Sequence, residues 1–203
     1  MTTRIRRYVE TDTGHRVPNH KSKCRHFHGH RYRFEAEIEG DIVETSGVSE
    51  EGMLMDFSDV SAILTTYIHD VVDHAFVVYE GDKEARTLLE ALPSDHRTVV
   101  VPFIPTAENL AKWAYEQVQP HIQTAYGNRL RLVAMHVRET PKSGLPGMRD
   151  YSSSRMTRRR RVALQSSSWD ANSRAVEAST KPPINRLVSS GSIPERCNAR
   201  VSE

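Results

Sequence analysis

Cys24-Arg25-His26-Phe27-His28-Gly29-His30 runs without a break into Arg31-Tyr32-Arg33-Phe34-Glu35-Ala36-Glu37-Ile38. From Arg31 onward polar and apolar residues alternate, the signature of a β-strand with one face on a core. Side chains two apart on a strand share a face. His28 and His30 therefore project together, and Gly29 leaves room for close approach. Five of the ten histidines lie between His15 and His30. A third imidazole from His15 completes a three-histidine set. Such a set leaves the fourth tetrahedral position of zinc open, the catalytic rather than the closed structural arrangement. His20 and His26 compete for the third place, and His26 has the parity of His28 and His30 if the strand begins early. His15 is preferred because the approach through Cys24 to Phe27 reads as irregular and bends the chain away. For any one of these residues alone, a solvated surface imidazole is the plainer reading.

The chain has 203 residues, enough for one substantial core. No apolar run approaches the ~20 residues that cross a bilayer. The basic start, Met1 to Arg7, is followed by no apolar signal region, so export is not expected and a cytoplasmic location is. Two cysteines, Cys24 and Cys197, lie in segments of different character, which excludes a disulfide framework and leaves Cys24 a free thiol in a reducing compartment. The net charge is +2, but residues 151–203 hold ten Lys and Arg against four Asp and Glu, a net of +6. Residues 1–150 are left at −4 by difference. The basic character thus belongs to the tail.

In chain order, Arg4 to Glu10 reads as an opening strand, Thr11 to Gly14 as a turn and His15 to His20 as loop. The long strand spans about Gly29 to Glu39, with an antiparallel partner expected near Ile42 to Glu44 or Met53 to Met55. Asp56 to about Val72 has helical spacing, with Asp56 or Ser58 as cap and Val60, Ile63, Leu64, Tyr67, Ile68 and Val71 as the apolar stripe. Leu88 to Leu92 is a short uncertain piece. Thr98 to Phe103 is a short strand, set at an edge by Pro102. Thr106 caps a second helix with Glu108 in its first turn, and Pro120 is expected to break it. Leu130 to Thr140 is the final strand. Beyond Gly144 the periodicity ends. The division is residues 1–148 as the catalytic domain and 149–203 as a Ser- and Arg-rich tail, expected to be disordered. Its run Arg158 to Arg161 can contact nucleic acid or an acidic partner, though a solvated tail is the simpler reading. Nucleic acid is otherwise not expected, nor is a membrane.

Four pieces occur in order: Cys24-x-x-x-His28-Gly29-His30 with upstream His15, then Asp73-His74, then Pro105-Thr106-Ala107-Glu108-Asn109-Leu110, then Glu139-Thr140. This constellation resembles the 6-pyruvoyl-tetrahydropterin synthase / 6-carboxy-tetrahydropterin synthase family over about residues 4–143. The resemblance implies an α+β tunnelling fold: a four-stranded antiparallel sheet with two helices on one face, assembling through its sheets into a barrel, as a homohexamer of two trimers. It implies Zn2+ on His15, His28 and His30, with Cys24, Asp73 and His74 catalytic. Glu139 would anchor the pterin, with Thr106 and Glu108 as further candidate substrate contacts. Taken alone, Asp73-His74 reads as a helix C-terminal cap and Glu108 as a residue matched to the helix dipole.

The substrate so implied is 7,8-dihydroneopterin triphosphate, whose side-chain hydroxyls suit a Lewis-acidic metal and whose neighbouring carbon suits a thiolate base. Lys21, Lys23 and Arg25 are candidates for the triphosphate on charge alone. The expected reaction is formation of 6-carboxy-5,6,7,8-tetrahydropterin, with loss of acetaldehyde and triphosphate, in queuosine and 7-deazaguanine synthesis. The runner-up is triphosphate elimination to the 6-pyruvoyl product. A third reading is a catalytically silent zinc protein whose tail recruits a partner. The run Glu10 to Gly14 and the run Ala75 to Val78 after Asp73-His74 depart from the family pattern, which puts substrate or product choice in doubt rather than the metal. No His-Glu-x-x-His occurs, which ranks a zinc hydrolase low.

Overall fold

The computed structural model describes residues 2–149. Its centre is a two-stranded ribbon: β1 (Thr3–His15) pairs antiparallel with β2 (His28–Gly40) along its whole length, from Thr3 opposite Gly40 to His15 opposite His28. The expected turn at Thr11 to Gly14 is therefore strand. Its turn-like composition is overridden by pairing with β2 throughout and with β3 from Gly14. Gly14 faces Gly29 on β2 and Phe76 on β3 (Phe76–Tyr79), which runs parallel to β1. The two glycines permit this closeness. A Cβ on Gly14 would come within 2.6 Å of the Phe76 ring, and one on Gly29 within 2.9 Å of the Thr13 carbonyl oxygen.

β5 (Leu130–Thr140) lies antiparallel on the other side of β2, and β6 (Ser143–Arg149) returns against β5. With β4 (Thr98–Val101) parallel to β3 at the edge, the sheet order is β4-β3-β1-β2-β5-β6. The four-stranded antiparallel sheet that the resemblance implies is present as β1-β2-β5-β6, but its last strand is β6, which the sequence pattern did not show, and two short parallel strands extend it to a mixed sheet of six. The expected partner strand near Ile42 or Met53 is corrected. Val43 and Gly52–Met53 only exchange bonds within a loop, 2.8 and 2.9 Å long, and β2 is already flanked by β1 and β5.

The helices cover one face. α1 (Phe57–Leu64) is capped by Asp56, continues through a π-helical turn (Thr65–His69) and ends in α2 (Asp70–Val72), which together fill the expected helical span. α3 (Lys83–Glu90) is a short helix capped by Asp82. α4 (Ala107–Tyr126) is capped by Thr106 and is not broken at Pro120. One missing N–H is outweighed by a stripe that continues past it, Leu110, Ala114, Val118 and Ile122, all buried. These side chains and Val60, Leu64 and Ile68 pack on Tyr32, Phe34, Ala36 and Ile38 of β2 and Leu132, Met135 and Val137 of β5. Each buried Leu, Ile, Val or Met among them contributes about 1.5–3 kcal/mol.

The uncovered face carries a charge ladder: Arg4 and Arg6 on Glu37, Arg33 on Glu10, Arg31 on Asp12, and Arg131 on Glu39. Among the described residues no helix is long and apolar enough to cross a membrane. The tail assigned to residues 149–203 lies outside the described residues, apart from Arg149.

Candidate metal centre

The β1–β2 register builds the centre. His15 and His28 are cross-strand partners, and His30 stands two residues further along the same face of β2. The three rings meet edge to face or tilted, with centroids 4.5 to 5.4 Å apart. Their ligand-capable nitrogens all lie within 4.8 Å of one another. His15 is buried, while His28 and His30 are partly exposed. Of the two competitors, His20 turns its Nδ1 back to the Ser22 N–H, and His26 lines a groove with Arg16, Arg25 and Lys83.

The ring orientations suit a metal. His15 Nδ1 donates to the Pro105 carbonyl oxygen at 2.7 Å, and His28 Nδ1 donates to that of His26 at 2.7 Å. Each bond holds the proton on Nδ1 and leaves Nε2 with its lone pair, the tautomer a metal ligand requires. Burial pushes the His15 imidazole below its ordinary value, so it stays neutral, and the Pro105 carbonyl opposes this only in part. Three imidazoles, two of them oriented by carbonyls, fit a zinc ion.

Glu139, near the end of β5, reaches the same place. Its Oε1 lies 3.6 Å from His15 Nε2 and 3.7 Å from His30 Nε2. Between them stands Tyr32, fully buried, whose hydroxyl is 3.0 Å from His15 Nε2 and 2.9 Å from Glu139 Oε1. Burial, then Glu139, then Cys24 and Glu108 push the Tyr32 phenol far above its ordinary range. Cys24 and Glu108 thus act on the hydroxyl at the base of the centre.

Cys24 sits half-buried in a short 3-10 turn, Lys23–Arg25, and its carbonyl accepts from the Val17 N–H. The loop is tied down by Arg16, whose guanidinium forks onto Asp82 at 2.6 Å and lies 5.4 Å from the Phe27 ring centre. Thr106 acts as a cap, its hydroxyl accepting from the Asn109 N–H, which sets the start of α4 and the Pro105 carbonyl before it.

Asp73 and His74 stand apart from the three histidines. Asp73 accepts from the Asp12 N–H at 2.9 Å and from His74 Nδ1 at 2.7 Å, with His69 Nε2 at 3.6 Å. Burial raises its carboxyl, but these bonds and the two imidazoles bring it below the usual range. His74 takes a left-handed φ of 53°, held by its own N–H bond to the Asp12 carbonyl. The Asp12 side chain alternates with those of Thr11 and Thr13 and pairs with Arg31, on the opposite face of the ribbon from the histidines. The exposed His74 ring is therefore presented outward.

A family model described as 6-pyruvoyl tetrahydropterin synthase matches residues 4–146, most of the chain. The chain belongs to the 6-pyruvoyl tetrahydropterin synthase family. A curated member, the 6-carboxy-5,6,7,8-tetrahydropterin synthase of Haemophilus influenzae, is 32% identical over 143 residues, which cover 69% of this chain and 94% of that one. Among solved structures, an uncharacterized protein from Wolinella succinogenes matches with TM-score 0.59 at 23% identity, covering 71% of this chain and 97% of the other. The 6-pyruvoyl tetrahydropterin synthase of Plasmodium vivax matches with TM-score 0.52 at 15% identity, covering 71% and 96%. These neighbours bear out the tunnelling fold that the family implies.

The sequence pointed to the three histidines but not to what orients them. Tyr32 carried a signal, since it continues the parity of His28 and His30. The carbonyls of Pro105 and His26 carried none, because any residue supplies one. His69 joins Asp73 from one helical turn away, a spacing that was available in the sequence.

Proposed function

We propose that this chain is a zinc-dependent lyase that converts 7,8-dihydroneopterin triphosphate to 6-carboxy-5,6,7,8-tetrahydropterin, releasing acetaldehyde and triphosphate with uptake of water, on the route to queuosine and other 7-deazaguanines. One observation carries the reading. The Nε2 atoms of His15, His28 and His30 converge beside a carboxylate, Glu139, held by a buried tyrosine. The likeness to the Haemophilus 6-carboxy-5,6,7,8-tetrahydropterin synthase favours the carboxy product. The family description favours the runner-up, triphosphate elimination to the 6-pyruvoyl product.

Zinc bound by His15, His28 and His30 would supply Lewis acidity toward side-chain oxygens of the substrate. The remaining work belongs to the chain. Glu139 accepts two hydrogen bonds from the pterin amino group and ring N–H, a planar pattern that a carboxylate matches. Thr106 and Glu108, at the start of α4, are the further substrate contacts. Cys24, in a loop rich in Lys and Arg, takes the side-chain proton as thiolate. Asp73 keeps the His74 proton on Nδ1, which leaves Nε2 to accept or deliver the second proton. Since His74 faces away from the histidines of its own chain, assembly gives it a route to those of a neighbouring copy. A cytoplasmic homohexamer of two trimers, its sheets joined in a barrel, is the proposed form, and pairing the β4 and β6 edges suits it.

The test is mass spectrometry of the products after incubating the zinc-loaded chain with 7,8-dihydroneopterin triphosphate. Carboxytetrahydropterin with acetaldehyde supports the proposal, and a pyruvoyl product selects the runner-up. Unchanged substrate with zinc bound rejects both. The division at residues 148 and 149 is part of the proposal: truncation after Asp150 is expected to leave turnover nearly intact, and loss of folding would overturn that boundary.

A further inference from the structure

The uncovered face of the sheet is a ladder of opposite charges with one rung out of place. Across β1 and β2 the register sets Arg4 opposite Glu39, Arg6 opposite Glu37, Glu10 opposite Arg33 and Asp12 opposite Arg31. Across β2 and β5 it sets Glu39 opposite Arg131 and Glu35 opposite His136. At the next rung it sets Arg33 opposite Arg138. Side chains directly opposite each other share a face, and like charges so placed are destabilising. Arg33 has an answer on its other side, where it donates to Glu10 Oε1 at 2.7 Å and lies 3.9 Å from the Tyr8 ring centre. Arg138 has none. Its neighbour on β6 is Gly144, which has no side chain to offer a carboxylate. Among the described residues no hydrogen bond or ion pair engages the Arg138 guanidinium.

Both arginines line a groove of about 520 Å³, room enough for a small anion. Lys142, in the turn between β5 and β6, lines it too, and its ammonium is likewise without a partner among the described residues. Arg6 and His136 complete the basic lining, but both are bound to Glu37, at 2.9 and 2.8 Å. Glu35 is the one carboxylate in the lining, and it lies 3.6 Å from Arg6. A Cβ on Gly144 would crowd the stem of Arg138 at 3.3 to 3.4 Å, so the glycine keeps the approach to the guanidinium open.

We propose that this groove is an anion site for a phosphate group, held by Arg138, Arg33 and Lys142. A carboxylate brings one charge and two acceptor oxygens. A phosphate group brings about two charges and at least three acceptor oxygens, enough for a guanidinium fork and two further donors. It turns the rung of like charges from a repulsion into a bridge. The groove lies on the face opposite the three histidines, so the proposal stands apart from the reading of the metal centre. Inorganic phosphate, a polyphosphate and a phosphate ester share this chemistry, and the arms of the experiment tell them apart.

The test is thermal unfolding of the full-length chain in inorganic phosphate, against sodium chloride at the same ionic strength. Phosphate is expected to raise the wild-type midpoint in a saturable way, because a ligand that binds only the folded state stabilises it. Arg138→Gln keeps a long side chain on the strand and removes the charge. Its apparent affinity for phosphate is expected to fall by roughly tenfold or more, the scale of a charge-assisted hydrogen bond lost. Lys142→Ala, in an exposed turn, should weaken phosphate several-fold. Without phosphate, at low salt, Arg138→Gln is expected to melt no lower than the wild type, because one of two opposed like charges is gone. Inorganic triphosphate and ribose 5-phosphate are run beside phosphate, and the probe that saturates at the lowest concentration names the source.

A wild-type midpoint that phosphate moves no more than chloride does overturns the proposal. A phosphate effect that Arg138→Gln retains in full overturns it too, because the anion then binds elsewhere. So does an Arg138→Gln chain that melts well below the wild type without phosphate, since Arg138 then has a partner within the protein.

Discussion

The β1–β2 ribbon has two faces that use polar side chains in different ways. On the helix-covered face His15 and Tyr32 are buried and Glu139 is partly so, and His15 bonds the Pro105 carbonyl at 2.7 Å while Tyr32 donates to Glu139 at 2.9 Å. On the other face Asp12 and Arg31 form a forked pair, but their side chains are 46% and 67% exposed. Water and salt screen the second kind of contact and not the first. The bond that sets the His15 tautomer belongs to the shielded kind. Asp73 and His74 are the exception. They lie outward, and their geometry comes from backbone bonds to Asp12 rather than from burial.

That contrast orders the expected effects of substitution. His28→Ala removes a ligand from the covered face. Stoichiometric zinc should be lost and turnover should fall to background, read by metal analysis of the purified protein together with the product assay. If zinc is retained at full occupancy, the ligand assignment is broken.

Asp73→Asn keeps the acceptor for the Asp12 N–H but sets an amide against His74 Nδ1–H, which favours the wrong tautomer. A loss of roughly 10²–10⁴ in kcat is expected, the range of general acid–base catalysis, with zinc content unchanged. A variant that keeps wild-type kcat would show that the outward dyad is a cap and no more.

The Arg16–Asp82 fork that holds the Cys24 loop gives a pH signature. The Arg16 guanidinium holds the Asp82 carboxyl below the usual carboxylate range. A lowered folded pKa contributes stability above the unfolded value of about 4 and loses it as pH falls through the folded value. Denaturant melts from pH 7 to pH 2.5 should show Asp82→Asn less stable at neutral pH and flatter on the acid limb. Parallel acid limbs for the two proteins would mean the fork contributes nothing.

Arg31→Ala tests the exposed face. The denaturant midpoint is expected to stay close to that of the wild type, with turnover within about twofold. A larger loss would show that the Asp12 pair holds the Asp73 anchor in place, and would blur the distinction between the faces.

How much of this was legible in the sequence follows the same line. The parity of His28, His30 and Tyr32 could be read because strand geometry has a period of two. The helical spans could be read from their stripes, and Thr106 and Asp56 from their positions as caps. The extension of β1 through Thr11 to Gly14 could not, since Gly14 acts only in company with Gly29 and Phe76, which are distant in sequence. β6 escaped because Ser143-Gly144-Leu145-Pro146-Gly147 has the composition of a linker, and its pairing with β5 is what makes it strand. β3 escaped because four residues are too few to show a period. Glu139 entered through the family resemblance alone. Its nearness to His15 depends on β5 lying beside β2, a long-range pairing that no local pattern announces.

The register of the ribbon carries one more consequence. His15 closes β1 and His28 opens β2, so the distance between these ligands is set by a ladder of paired strands that ends at them. The chain that joins them, residues 16–27, carries Cys24 but takes no part in that ladder. It is not a free insert, because its last turn supplies the His26 carbonyl that holds the His28 ring. Up to that point its length can vary without moving the ladder. The spacing of His15 and His28 thus belongs to the sheet and not to the loop between them.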